Sequence, residues 1–310
     1  PGPFAWIVYD HGGGGPGGDL QRVVQSPVHE LQATHGFPTF VALHSGDAAA
    51  RVRDLSTLID LALARSATPG DPFHGRLDPE RIGIAGISVG GGAAVGIAGG
   101  WAARGIAADT RIKAMVLYEP AQVTTLDDAS TISLPYLIMG GTQSSAAATI
   151  EGFLDATFDA SPRFHVKSPD AVHWNYNTSL CPFTEETRET ALLADPSLPE
   201  PLTNPIAGNA AALNAYSNWR FGEAQFPSFG PGFGGARNVC NRIGVESVRS
   251  LDNNPQDGFT DQPPFMASDA FTLAPAIPAE SMVPVVKLYT IAFWKTFLEG
   301  DRRYRRYLTP

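Results

Sequence analysis

The sequence predicts an α/β fold: a mostly parallel, doubly wound β-sheet, with a long irregular excursion inserted before a C-terminal helix. Three observations carry the prediction. Apolar runs of strand length alternate with stretches of helical periodicity, the pattern of successive βαβ units. The strand candidates are short and apolar at consecutive positions, as strands buried on both faces are. The alternation stops near Leu180 and resumes only at Ser281.

Taken in order, Phe4 to Tyr9 reads as a strand, Leu20 to Thr34 as a helix, Pro38 to Leu43 as a strand and Ala48 to Arg65 as a helix. Arg81 to Ala85 is a short buried strand, and Gly90 to Ala103 a helix rich in small residues. Strands follow at Lys113 to Tyr118 and Leu134 to Met139, a helix at Ser145 to Thr157 and a strand at Arg163 to Lys167. From Leu180 to Pro278 proline, glycine and polar residues dominate, with Phe226 to Gly235 the densest stretch. So long an irregular segment in a compact chain reads as a lid or binding loop, or as an inert stabilising cap. Helical periodicity returns at Ser281 to Leu298. The expected organisation is a catalytic core over 1–179, a lid or cap over 180–278, and a C-terminal helix within 279–310 that packs back on the core.

At 310 residues and 43% hydrophobic content the chain can bury a substantial core. The formal charge of -9 argues against a nucleic-acid partner, which requires a clustered basic surface. Arg302, Arg303, Arg305 and Arg306 form the one basic cluster, read as a solvated helix end. No membrane span is expected, because no uninterrupted apolar stretch approaches the roughly 18 residues needed, and the most apolar C-terminal stretch, Met282 to Phe297, is interrupted by Lys287. Cys181 and Cys240 both fall in the irregular segment. Paired, they would close a loop of about 60 residues and contribute roughly 4 kcal/mol, which suits an oxidising compartment; the alternative is two unrelated thiols. The sequence enters a strand within a few residues of Pro1, so the expectation is a signal peptide removed upstream and a secreted or periplasmic location.

The chemistry concentrates at Gly86-Ile87-Ser88-Val89-Gly90, directly after the strand that starts at Arg81. A GxSxG turn between strand and helix holds its serine on a sharp bend, and small neighbours are needed because larger side chains would meet the adjoining backbone. The following helix also directs its positive end at the serine. Competing glycine-rich turns that bind dinucleotides or phosphates would carry GxGxxG or a GKS/GKT ending, and neither is present. Ser88 is therefore the candidate nucleophile.

A serine needs a base, usually a histidine oriented by a carboxylate. Of seven histidines, His173 follows the last core strand by a few residues and is the candidate base. His165 lies inside that strand, and His29, His35, His44 and His74 precede Ser88. The usual position for the acid, after the penultimate strand, holds Gly140-Gly141-Thr142-Gln143-Ser144-Ser145 and no carboxylate. Glu119, ending the preceding strand and followed by Pro120, is the leading candidate. Asp127, Asp128, Asp155, Asp159 and Asp170 are the alternatives. For the oxyanion, the glycine run from Gly12 after the first strand offers a backbone N–H at Gly13, with Gly12 or Gly14 as alternatives in register, and Val89 offers a second. Gly14 and Trp174 are candidate substrate contacts.

With these residues in place, the chain resembles serine esterases of the α/β-hydrolase superfamily over Phe4 to about Tyr176 and the terminal helix. It is most similar to the branch that is dienelactone-hydrolase-like and platelet-activating-factor-acetylhydrolase-like. The features are Asp10-His11-Gly12, the loop from His44 to Arg51, Arg81-Ile82-Gly83 entering the turn, the acid after the earlier strand, and the ending from Ala292-Phe293-Trp294-Lys295 to Tyr307-Leu308. Two positions depart from it: Ile87 stands where many relatives have histidine, and Glu119 where many have aspartate. The resemblance places the family's first two strands upstream of Pro1.

What it implies is hydrolysis of a small-molecule or polymeric carboxylic ester through an acyl-enzyme, with no metal or organic cofactor. Trp174 and Trp219, Phe221, Phe226, Phe229 and Phe233 fit an apolar substrate, or equally the packing of a lid. Carbon–carbon cleavage of a β-diketone, as in oxidised-polyvinyl-alcohol hydrolases of the superfamily, uses the same triad. A catalytically dead binding protein would lack Ser88 or His173. Asp252 to Gly258 is oxygen-rich, but it misses the spacing of a calcium loop and reads as a polar turn.

Overall fold

A computed structural model describes residues 2–12, 26–42, 47–121, 124, 126–142, 144, 146–158, 162–169, 171, 176 and 279–309. The excursion over 180–278, with Cys181, Cys240, its aromatic residues and the 252–258 turn, lies outside them. Among the described residues six strands are formed: β1 (Phe4–Asp10), β2 (Thr39–Val41), β3 (Leu77–Ile87), β4 (Ile112–Tyr118), β5 (Tyr136–Gly141) and β6 (Arg163–Ser168). They make one sheet in the order β2-β1-β3-β4-β5-β6, with every neighbouring pair parallel.

Both faces are covered, and the alternation of side chains along each strand explains why. Trp6 and Val8 of β1 and Ile82 and Ile84 of β3 point into one core, where α2 (Ala48–Ala67), α3 (Val89–Gly99), α4 (Leu126–Ser130) and α5 (Ala147–Ala156) supply residues such as Leu55, Ile97, Ala129 and Phe153. Ala5, Ile7 and Tyr9, with Ala85 and Ile87, point into the other, closed by α1 (Ser26–Thr34) and α6 (Ala279–Phe297). The chain turns one way from β1 to β2 and the opposite way from β2 to β3, so α1 and α2 lie on opposite faces. The reversal falls between β1 and β3, and open parallel sheets bind ligands at the carboxyl ends of the strands at such a point.

Close approach requires glycine at two positions on these faces. A Cβ on Gly83 would lie 2.8 Å from both Ile7 Cδ1 and Trp294 Cζ3, so α6 sits directly on the sheet. A Cβ on Gly96 would lie 2.8 Å from Val52 Cγ2, which sets how near α2 and α3 run. The buried hydroxyls of Tyr118 and Thr290 bond each other at 2.8 Å, tying α6 to β4.

Several boundaries differ from the sequence expectation for local reasons. β3 begins at Leu77 rather than Arg81, because Leu77 pairs with Phe4 before an irregularity shifts the register. Helix α3 ends at Gly99 rather than Ala103: Gly100 adopts φ 86°, Trp101 bridges to Ile106, and Ala102–Arg104 forms a 3₁₀ turn. The basic cluster lies in a 3₁₀ helix, Arg302–Tyr307, whose Asp301 caps it by accepting from Arg303 N. No helix among the described residues is long and apolar enough to cross a membrane.

Candidate functional site

Ser88 stands between β3 and α3 with φ 56° and ψ -125°, a conformation that non-glycine residues rarely hold. Its neighbours enforce it. Ser88 N donates to Tyr118 O at 3.0 Å, and Ser88 O accepts from Ala121 N at 2.8 Å, so the turn is stitched to the end of β4. A Cβ on Gly86 would collide with the carbonyl of Gly90, and one on Gly90 with the carbonyls of Asp10 and His11. The two glycines of the motif are thus required by backbone packing. Serine is a favoured helix cap, yet here its side chain makes no capping bond to α3. The residue is partly exposed while Val89 and Gly90 are buried. As the first residue of α3, Val89 has an N–H that no helical carbonyl can accept, at the positive end of the helix dipole.

Glu119 is the other non-glycine residue with positive φ among those described, at 47°. It ends β4 beside Ser88, is fully buried, and donates its own N–H to Met139 O at 2.9 Å. Gly141 N donates to its Oε1 at 2.5 Å, and the Ser144 hydroxyl donates to Oε2. Ser144 Oγ in turn accepts from Ala146 N at 3.1 Å, which orients the hydroxyl. The loop after β5, which has no carboxylate of its own, wraps the carboxylate delivered by the neighbouring strand.

The other carboxylates put forward sit elsewhere. Asp127 is exposed on α4 and Asp155 exposed on α5. Asp128 is buried, but its Oδ1 accepts from Ala102 N at 3.0 Å, beyond the far end of α3 from Ser88. An 11-residue helix is about 16 Å long. Asp159 and Asp170 lie outside the described residues, as do Gly13, Gly14, His44, His173 and Trp174.

The two described residues that bracket His173 lie near the Glu119 surroundings, Ala171 against Gly141 and Tyr176 within reach of the Glu119 charge. Ala171 is buried, and its carbonyl lies where a Cβ on Gly141 would be. Tyr176 is buried too, and its hydroxyl pKa is raised first by burial and then by the Glu119 charge. His165 projects from β6, where burial lowers its pKa. His29 on α1 packs edge-on against Tyr9 at 4.5 Å, and burial lowers its pKa to about 4. His35 and His74 lie in turns.

The rim of β1 completes the site. Gly12 lies over the turn, since a Cβ there would sit 3.2 Å from Ser88 Cβ. Below it Asp10, His11 and Arg51 are all buried, with Arg51 Nη2 3.4 Å from Asp10 Oδ1 and donating to His11 O at 2.9 Å. Sequence reasoning did not single out Arg51 or Ser144. Arg51 was legible as the charged member of an apolar stripe, four residues before Leu55 and eight before Ile59. Nothing local distinguishes Ser144 from Ser145.

A scan against protein-family models found no match, and a search of curated proteins found no significant relative. The fold and site therefore define an α/β protein with a six-stranded parallel sheet whose polar and strained residues gather at the carboxyl ends of the strands.

Proposed function

We propose that this protein is a serine hydrolase of the α/β-hydrolase type that cleaves carboxylic esters through an acyl-enzyme. One observation carries the reading: Ser88, strained and uncapped at the head of α3, stands next to a buried carboxylate, Glu119, already held by two donors. A structural serine has no need of positive φ, and a structural glutamate no need of burial at the end of a strand.

In this reading Ser88 Oγ attacks the ester carbonyl carbon while His173 takes its proton. The carbonyl oxygen becomes an oxyanion held by Val89 N–H and by a donor from the glycine loop, Gly13 first among its candidates. Collapse expels the alcohol, which receives the proton from His173. Water, deprotonated by the same histidine, then releases the acid and restores Ser88. Glu119 orients His173 and stabilises its protonated form. The packing of Ala171 and Tyr176 against the Glu119 surroundings supports His173 as the partner, since only a few residues separate them. The lid role of 180–278, contacts from Gly14 and Trp174, and an apolar acyl or polymeric substrate are part of the same proposal.

The test is steady-state turnover of p-nitrophenyl esters of graded acyl length, with acetylacetone in parallel. Ester turnover lost in Ser88→Ala and His173→Ala supports the reading. Diketone cleavage without ester turnover replaces it with carbon–carbon hydrolysis, and turnover unchanged in Ser88→Ala removes it.

A further inference from the structure

Arg51 is an expensive residue where it stands. Its side chain is 2% exposed and that of Asp10 is fully buried, in a helix whose neighbouring stripe, Val52, Leu55, Ile59 and Ala62, is core. A buried ion pair of this kind often stabilises no more than well-packed apolar residues would. Burial pulls the Arg51 pKa down while the Asp10 charge pushes it up. The pair faces a functional surface. Arg51 Nη2 grips His11 O at 2.9 Å, and the carbonyls of Asp10 and His11 lie against Gly90 with no space for a Cβ.

His11 extends the contact. Its Nδ1 lies 2.8 Å from Gly12 O. Arg51 Nη2 lies 3.0 Å from the same ring nitrogen and so limits where the imidazole can sit. In a trans peptide the N–H opposes the C=O. The Arg51 bond that fixes the His11 carbonyl therefore also fixes the direction of the Gly12 N–H, beside Ser88.

We infer that Arg51 is a positioning residue for catalysis: through Asp10 and His11 it holds the peptide planes at the end of β1 in the orientation that an acyl oxygen on Ser88 requires. The inference rests on the serine-hydrolase reading above. Removing Arg51 leaves the nucleophile in place but misaligns the donors, so the loss falls on the transition state rather than on substrate binding.

The experiment uses the full chain, with Arg51→Met, Arg51→Lys and the double variant Arg51→Met/Asp10→Asn, which strands no buried charge. Each is measured for kcat and KM on p-nitrophenyl butyrate, for inhibition by a trifluoromethyl ketone that forms a tetrahedral adduct, and for thermal melting. The expected result for the folded Met variants is a kcat lower by about 30-fold, KM within about 3-fold, and a ketone Ki raised in proportion to the loss of kcat/KM. Arg51→Lys regains part of the loss in kcat and Ki. Folded Met variants with kcat and Ki within about 3-fold of wild type overturn the inference. So does a loss that disappears when activity is expressed per folded molecule, or failure of all three variants to fold, which makes the pair a folding element. A wild-type chain that turns over no ester and binds no ketone overturns the serine-hydrolase reading, and the inference with it.

Discussion

The two ends of the sheet are built differently. At the amino ends of β3 and β4 the charges are paired at the surface, most of them partly or well exposed and only the Asp109 carboxylate buried: Arg81 with Asp78 at 2.7 Å, Lys113 with Glu80 at 3.8 Å, and Arg111 with both Asp109 and Asp60. Such pairs contribute little individually. At the carboxyl ends the charges are buried, Asp10 with Arg51 and Glu119 with Gly141 N and Ser144, and both described non-glycine residues with positive φ, Ser88 and Glu119, are found there. Each such backbone costs about 1–3 kcal/mol. Cost is concentrated where a parallel sheet binds its ligands, and the opposite end is ordinary.

The contrast yields predictions that grade with position. The largest effect belongs to Ser88→Gly, which removes the hydroxyl and accepts the same φ without strain. Turnover should fall about 10⁴-fold or more, while the melting temperature rises by about 2 °C, as differential scanning calorimetry would show; a lower melting temperature would mean that Ser88 is not strained. Next is the acid. Glu119→Gln keeps the shape but loses the charge, and kcat should fall by about 10³-fold; Ser144→Ala, which removes one of its donors, should lower kcat by about 10-fold. Equal activity in both would locate the acid elsewhere.

A smaller effect is read in pH. Burial lowers the His29 pKa from 6.5 to about 4, so the folded protein resists a proton that the unfolded chain accepts. The stability this contributes is full above pH 6.5 and is lost as pH falls toward about 4. Urea titrations of wild type and His29→Phe should diverge by about 3 kcal/mol across that window, with the variant the flatter. Parallel curves would place the ring in water. The smallest effect is at the amino end, where Lys113→Ala should change stability by no more than about 0.5 kcal/mol and leave kcat unaltered.

What the sequence made legible follows from how local each constraint is. The turn at Ser88 was readable because its motif is contiguous in one strand–turn–helix unit, with Gly86 answering the Gly90 carbonyl inside it even though Gly90 itself answers β1, and Glu119 because proline stops its strand. The β3 extension was not, because Leu77 is drawn into the sheet by Phe4, far away in sequence. Helix α3 was overextended because alanine and glycine continue past Gly99, where the chain instead bends at Gly100 and closes a 3₁₀ turn. The donors around Glu119 belong to another strand's loop, and Arg51 reaches β1 from α2; only the folded sheet brings either into contact.

The central claim, an activated serine at the head of α3, is tested most directly by treating the protein with a fluorophosphonate and mapping the adduct by peptide mass spectrometry. The account predicts one adduct per chain, on Ser88, absent in Ser88→Ala and strongly slowed in His173→Ala and Glu119→Gln. A folded chain that takes no adduct, or takes it on another residue, would contradict it.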